Sequence, residues 1–142
     1  LEKAEAAGLR NILFSRLCLS RPGDMFAEGE LDGIFLNFSD PWPKDRHAVR
    51  RLTHRGFLAQ YLAILRPGAC VEFRTDDTGF FRFSLLEFEA SGFSLLDATE
   101  DLGGTLLPAR AFASEYERRF VLLNRRICYL RAAREGGGAA AP

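Results

Sequence analysis

The residues best able to do chemistry in this 142-residue chain are gathered in one string, Asn37-Phe38-Ser39-Asp40-Pro41-Trp42-Pro43-Lys44. Pro41 and Pro43 fix φ on either side of Trp42 and remove two backbone donors, so the string reads as a rigid, irregular loop. Such a loop can hold an acid, Asp40, and a large aromatic, Trp42, in fixed poses, as recognition of a flat base requires. The same residues also suit an Asp-Pro turn with Trp42 plugging the core.

Directly downstream, Lys44, Arg46, Arg50, Arg51 and Arg55, with His47 and His54, make the densest basic stretch in the chain. A cluster of this kind binds a polyanion by releasing its counterions, which fixes position without reading sequence. A solvated helix start is the other reading. In Thr75-Asp76-Asp77, Asp77 is most simply an N-cap for the helix that follows, which leaves Asp76 as the site candidate or as a second turn acid. Ser114-Glu115-Tyr116-Glu117 has the Ser-x-x-Glu pattern of a capping box. A carboxylate at Glu117 could equally accept hydrogens from the N1 and exocyclic amine of a guanine.

Composition narrows the partners. The formal net charge is zero, so a nucleic acid would have to be met by a local patch and not by overall basicity. No apolar run approaches the ~20 residues of a membrane span, and the chain reads as soluble and cytoplasmic. Cys18, Cys70 and Cys128 lie far apart in apolar stretches, as reduced structural thiols do, and His47 and His54 form no ligand cluster for a metal.

The elements that must carry these residues follow from periodicity. Leu1 to Leu9 read as the end of a helix stopped by Gly8, which starts the chain in mid-structure. Apolar runs at Asn11–Phe14 and Gly33–Phe38 read as buried parallel strands. Leu58, Tyr61, Leu62 and Leu65 recur at helical spacing up to Arg66-Pro67-Gly68, and Ala69–Arg74 returns to strand. A helix from Asp77 buries Phe81, Leu85 and Phe88 and stops at Gly92. A strand over Phe93–Thr99, a short helix from Ser114 and a last strand over Ile127–Ala132 complete the order. Strands alternating with helices predict an α/β sandwich with a mainly parallel sheet, spanning residues 1–134, and a disordered Gly/Ala tail over 135–142. In such sheets ligands sit beyond the carboxyl ends of the strands. Asp40 and Asp76 each follow a strand end, so parallel pairing would bring both acids to one edge.

The string Asn37–Lys44, then Arg46-His47, Arg50-Arg51-Leu52, Phe73-Arg74-Thr75-Asp76 and Glu115-Tyr116-Glu117 before Arg119-Phe120, resembles the bacterial tRNA (guanine-N7)-methyltransferases in order and spacing. The resemblance implies a class I, Rossmann-like methyltransferase fold that moves a methyl group from S-adenosyl-L-methionine to N7 of a guanine in the tRNA variable loop. It implies a catalytic and cofactor-side role for Asp40 and substrate binding by Lys44, Asp76, Ser114, Glu115, Tyr116 and Glu117. RNA contacts fall to Arg46, His47, Arg50 and Arg51. Against the family pattern, the first two strands, the Gly-rich cofactor loop and the ribose acid are expected to be missing. Cys18-Leu19 stands where the family has an Asp-Ala pair beside the adenine. Ser114, Asn124 and Arg126 replace the usual Thr, Gly and Pro. An RNA-binding remnant without catalysis is the alternative expectation.

Overall fold

The computed structural model describes residues 2–16, 20–109, 117, 123 and 125–136. A short helix α1 (Glu2–Ala6) ends at Gly8, whose φ of +65° is the left-handed conformation of a helix stop. The run Asn11–Phe14 is not a strand: these residues are irregular and exposed, with Leu13 fully so. Apolar character alone does not make a strand, which needs a hydrogen-bonding neighbour, and no described segment pairs with this one.

From there the order is β1 (Leu31–Asn37), α2 (Arg55–Ile64), β2 (Leu65–Thr75), α3 (Thr78–Glu89), β3 (Phe93–Thr99) and β4 (Cys128–Arg134). Among the described residues these strands form one sheet in the order β1-β2-β4-β3. β1 and β2 pair in parallel, while β4 lies antiparallel to both β2 and β3. The mainly parallel expectation therefore holds for strand direction, since β1, β2 and β3 run the same way. The pairings are mixed, because the last strand inserts between β2 and β3 from the opposite end.

The helices form where their apolar residues share a face. In α2 the buried residues Leu58, Tyr61 and Ile64 are spaced by three, and the imidazole Nδ1 of His54 caps the start by accepting from Gly56 N–H at 3.1 Å. In α3, Asp77 is the N-cap, its Oδ1 accepting from Phe80 N–H at 2.7 Å, and Phe80, Phe81, Ser84 and Phe88 are buried. Leu85 packs at the margin of the same core. Both helices cover one face of the sheet, where Leu36, Val71, Phe73, Leu130 and Ala132 complete the core. Each of the larger side chains among them, Leu, Val or Phe, is worth roughly 1.5–3 kcal/mol of burial. The opposite face shows Phe35, Glu72, Arg131 and Asp97 to a groove, with a small second cluster of Leu102, Ala109, Ile127 and Tyr129 at its edge.

Polar contacts fasten α3 to the turn before α2 and to the first residue of α2. Ser84 Oγ donates to Phe80 O at 2.8 Å, so the Thr53 hydroxyl is the donor in its 2.7 Å bond to Ser84. Arg55 bonds Glu87 through Nη2 at 2.7 Å and through its backbone N–H at 2.6 Å. These bonds hold the Glu87 carboxyl below its usual 4.5. A depressed carboxyl stabilises the fold above its ordinary value and loses that contribution as pH falls through the folded value. Glu87→Gln should accordingly melt below wild type near about pH 6, and the gap should narrow steadily as pH falls below 4.5. Thermal melts across that range check this, and a gap independent of pH would remove the ion pair as its cause.

Candidate active site

Parallel pairing in register sets the site. Asn37 lies opposite Arg74 at the ends of β1 and β2, and the next residue, Phe38, still donates its N–H to Arg74 O at 2.9 Å. Both strands therefore finish at one edge. Beyond it, the β1 chain turns sharply: Phe38 and Trp42 have φ of +53° and +43°, a left-handed conformation that side chains with Cβ rarely adopt. Asp40, exposed, sits between them.

Across the edge, Thr75 Oγ1 accepts from Asp77 N–H at 3.1 Å and Asp77 caps α3, so Asp77 is engaged in structure as the sequence implies. Asp76 differs. Its carboxylate meets Arg125 at 3.2 Å and lines a cavity of about 450 Å³ together with Pro41, Asp77, Thr78, Arg125 and Arg126. Pro41 directly follows Asp40, so the two strand exits share this cavity.

The basic stretch divides into distinct environments. Lys44, Arg46 and Arg50 are exposed, while His47 is half-buried. Arg46 Nε donates to His47 Nε2 at 3.3 Å, His47 packs edge-on to Trp42 with ring centres 5.8 Å apart, and the Arg50 guanidinium lies 5.0 Å over the same indole. Trp42 is thus half-buried beside its own basic neighbours, on the margin of a second, apolar cavity with Val49, Leu52 and Phe57, and is not a plug in the main core. Arg51 departs from the sequence expectation of a surface cation. Only 8% exposed, it turns inward to donate to Pro41 O at 2.9 Å and Trp42 O at 3.0 Å.

Glu117 is buried at 3% exposure, with both carboxylate oxygens 2.9 Å from Arg74 Nη1, and Arg74 Nη2 donates to Ala109 O at 3.1 Å. The expectations for Ser114, Glu115, Tyr116 and Cys18-Leu19, and for the helix from Ser114 apart from Glu117 and Leu123 and the tail beyond Gly136, lie outside the described residues. Sequence reasoning missed Arg125 as the partner of Asp76 and Arg74 as the partner of Glu117. The adjacent cations Arg125-Arg126 just before the last strand were a signal for the first. Only long-range pairing reveals the second.

Elsewhere, burial pushes the Cys128 thiol up to about 11, so it is protonated at neutral pH. Among the described residues no group of His, Cys, Asp and Glu could hold a metal ion, and no helix is long and apolar enough to cross a membrane.

Strand order, helices on the face behind it, and acids at the carboxyl ends of a parallel pair together define a class I methyltransferase fold. Geranyl diphosphate C-methyltransferase from Streptomyces coelicolor A3(2) shares it with a TM-score of 0.54 and 16% identity, over 94% of this chain and 58% of that one. A likeness so remote in sequence speaks for the fold alone. The family model described as "Putative methyltransferase" matches residues 1–130, and the chain belongs to that family. It is homologous to the bacterial tRNA (guanine-N(7)-)-methyltransferases. The identity is 41% to that of Clostridium novyi (strain NT), over 80% of this chain and 53% of the relative. It is 43% to that of Lachnoclostridium phytofermentans, over 95% and 63%. The chain spans about half the length of the curated relatives it matches.

Removing one partner of a buried ion pair leaves the other uncompensated, at a cost of about 3–5 kcal/mol. Arg74→Met should lower unfolding free energy in urea by that amount, and adding Glu117→Leu should restore much of it. A loss under about 1 kcal/mol would mean that water reaches the pair.

Proposed function

We propose that this chain carries the guanine-binding, acidic side of a tRNA (guanine-N7)-methyltransferase active site and works in the cytoplasm on tRNA. The observation that carries the reading is the meeting of the Asp40 loop and Asp76 at one sheet edge, with Lys44, Arg46 and Arg50 exposed around it. Family membership supports the same assignment.

The methyl donor inferred is S-adenosyl-L-methionine, which supplies an electrophilic sulfonium methyl. The residues fit its reactive side: Asp40 is an exposed carboxylate at a strand end, suited to stand near a sulfonium cation. Among the described residues no glycine-rich turn joins a strand end to a helix start, the feature that would receive the donor's amino-acid carboxylate. The fit is to one side of the donor.

Guanine N7 already has a free lone pair, so no side chain need take a proton before attack. What the protein must do is align the reactants and stabilise the positive charge that develops on the purine. Two carboxylates at one edge suit that demand. Asp76, with 30% of its side chain exposed and its carboxylate on Arg125, can accept hydrogens from the guanine's N1 and exocyclic amine once that ion pair yields. Lys44, Arg46, His47 and Arg50 provide phosphate contacts that set the register of the RNA. Glu117 acts from behind, through Arg74, which it meets at the end of β2.

Asp40→Ala should abolish methyl transfer to tRNA while leaving tRNA affinity within about twofold, measured by incorporation of labelled methyl groups and by filter binding. Wild-type turnover by this variant removes Asp40 from its role. Lys44→Ala with Arg46→Ala should weaken tRNA binding and reduce the slope of log K against log salt by about 1 per lost contact. An unchanged slope makes those residues a solvated surface. Salt-dependent tRNA binding without methyl transfer, with donor in excess, would instead fit an RNA-binding protein.

A further inference from the structure

The inward turn of Arg51 gives it a different task from its neighbours. The loop it touches contains two residues in the left-handed region, Phe38 and Trp42, each at a cost of order 1–3 kcal/mol that its surroundings must offset. It also contains Pro41 and Pro43, which have no N–H, so the loop is short of donors for its own carbonyl oxygens. Arg51 supplies them from outside: Nε and Nη2 reach the consecutive carbonyls of Pro41 and Trp42 at 2.9 and 3.0 Å. Two donors in one rigid plane fit two adjacent acceptors, which the single ammonium of a lysine cannot match.

The guanidinium is fixed in turn by α3. Its carbon lies 4.3 Å from the centre of the Phe83 ring, and the backbone N–H of Arg51 donates to Ala48 O at 3.0 Å. Phe83 sits in the second turn of the helix that begins just after Asp76, with Asp77 as its cap. Two residues further on, Thr53 bonds Ser84, and two beyond that, Arg55 bonds Glu87. The Arg51–His54 turn, closed by His54 N–H on Arg51 O at 2.9 Å, and the first residue of α2 thus meet α3 through alternate residues, and Arg51, the first of them, holds the Asp40 loop.

We propose that Arg51 is a positioning residue: it sets the Asp40–Trp42 loop against α3, and thereby against Asp76, and does not contact RNA. Its kinetic consequence rests on the methyltransferase reading above, whereas its effect on Trp42 does not.

Trp42 is the only tryptophan in the chain, so its emission reports the loop directly. Arg51→Lys keeps the charge and loses the fork, and Phe83→Leu keeps the fork and loses its platform. Both variants, at temperatures where circular dichroism shows them folded, should shift Trp42 emission and at least double its quenching by acrylamide. In methyl transfer, kcat should fall by up to about a hundredfold, the scale of a 1 Å misplacement. The tRNA Kd and its salt slope should stay within about twofold of wild type. Arg51→Lys is the more severe variant. Should it fail to fold, Phe83→Leu decides.

Trp42 emission and quenching unchanged in the folded variants would overturn the proposal. So would a raised Kd and flattened salt slope at unchanged kcat, which is the signature of a phosphate contact. A wild-type protein that transfers no methyl group defeats the methyltransferase reading but leaves the fluorescence result to decide the role of Arg51.

Discussion

The register that sets Asn37 opposite Arg74 is the constraint on which the rest of the structure depends. Side chains alternate across a strand, so this alignment places Leu36 and Phe73 together on the helix-covered face while Asn37 and Arg74 point the other way. A slip of one residue would drive Glu72 and Arg74 into the core and lift Phe73 out of it. The same alignment makes the two strands end together. The loop bearing Asp40 and the turn bearing Asp76 are consequences of a hydrophobic pattern laid down several residues earlier.

The polar groups that hold this edge differ in what water does to them. Arg55 is two-thirds exposed and Glu87 nearly buried, so their pair is screened on one side and fastens one end of α2 to α3. Arg74 and Glu117 are both buried, with side-chain exposures of 7% and 4%. There desolvation works against attraction, and the bond from Arg74 Nη2 to Ala109 O adds to the attraction. What it provides is fixed geometry at the end of β2. Both oxygens of the Glu117 carboxylate lie on Arg74 Nη1, so the position of each group depends on the other.

Much of this was legible in the sequence. Helical spacing gave α2 and α3, Gly92 the stop after α3, and Asp77 its cap. The two acids at one edge followed from strand ends and parallel pairing. The exceptions have physical reasons. Asn11–Phe14 carried the apolar signal of a strand, but strand formation depends on a neighbour, and periodicity does not report one. The insertion of β4 between β2 and β3 is likewise a matter of topology, invisible in the alternation of Ile127–Ala132. Charge in the run from Lys44 to Arg55 was visible. The direction of each guanidinium was not.

That last failure has a cause in the loop itself. Prolines make a segment rigid by fixing φ, and by the same chemistry they deprive it of donors. A loop stiffened in this way cannot satisfy its own carbonyls, and where those face the protein a donor must come from elsewhere. Arginine suits the purpose, because its fork spans two consecutive carbonyls and its flat face can rest on an aromatic ring. A basic run beside a Pro-x-Pro loop is therefore ambiguous in sequence. Some of its members answer the loop's missing donors and others face solvent, and only their side-chain directions separate the two groups. Here Arg50 and Arg51, adjacent in the chain, fall on opposite sides of that division: one lies over the indole of Trp42 and the other beneath its carbonyl.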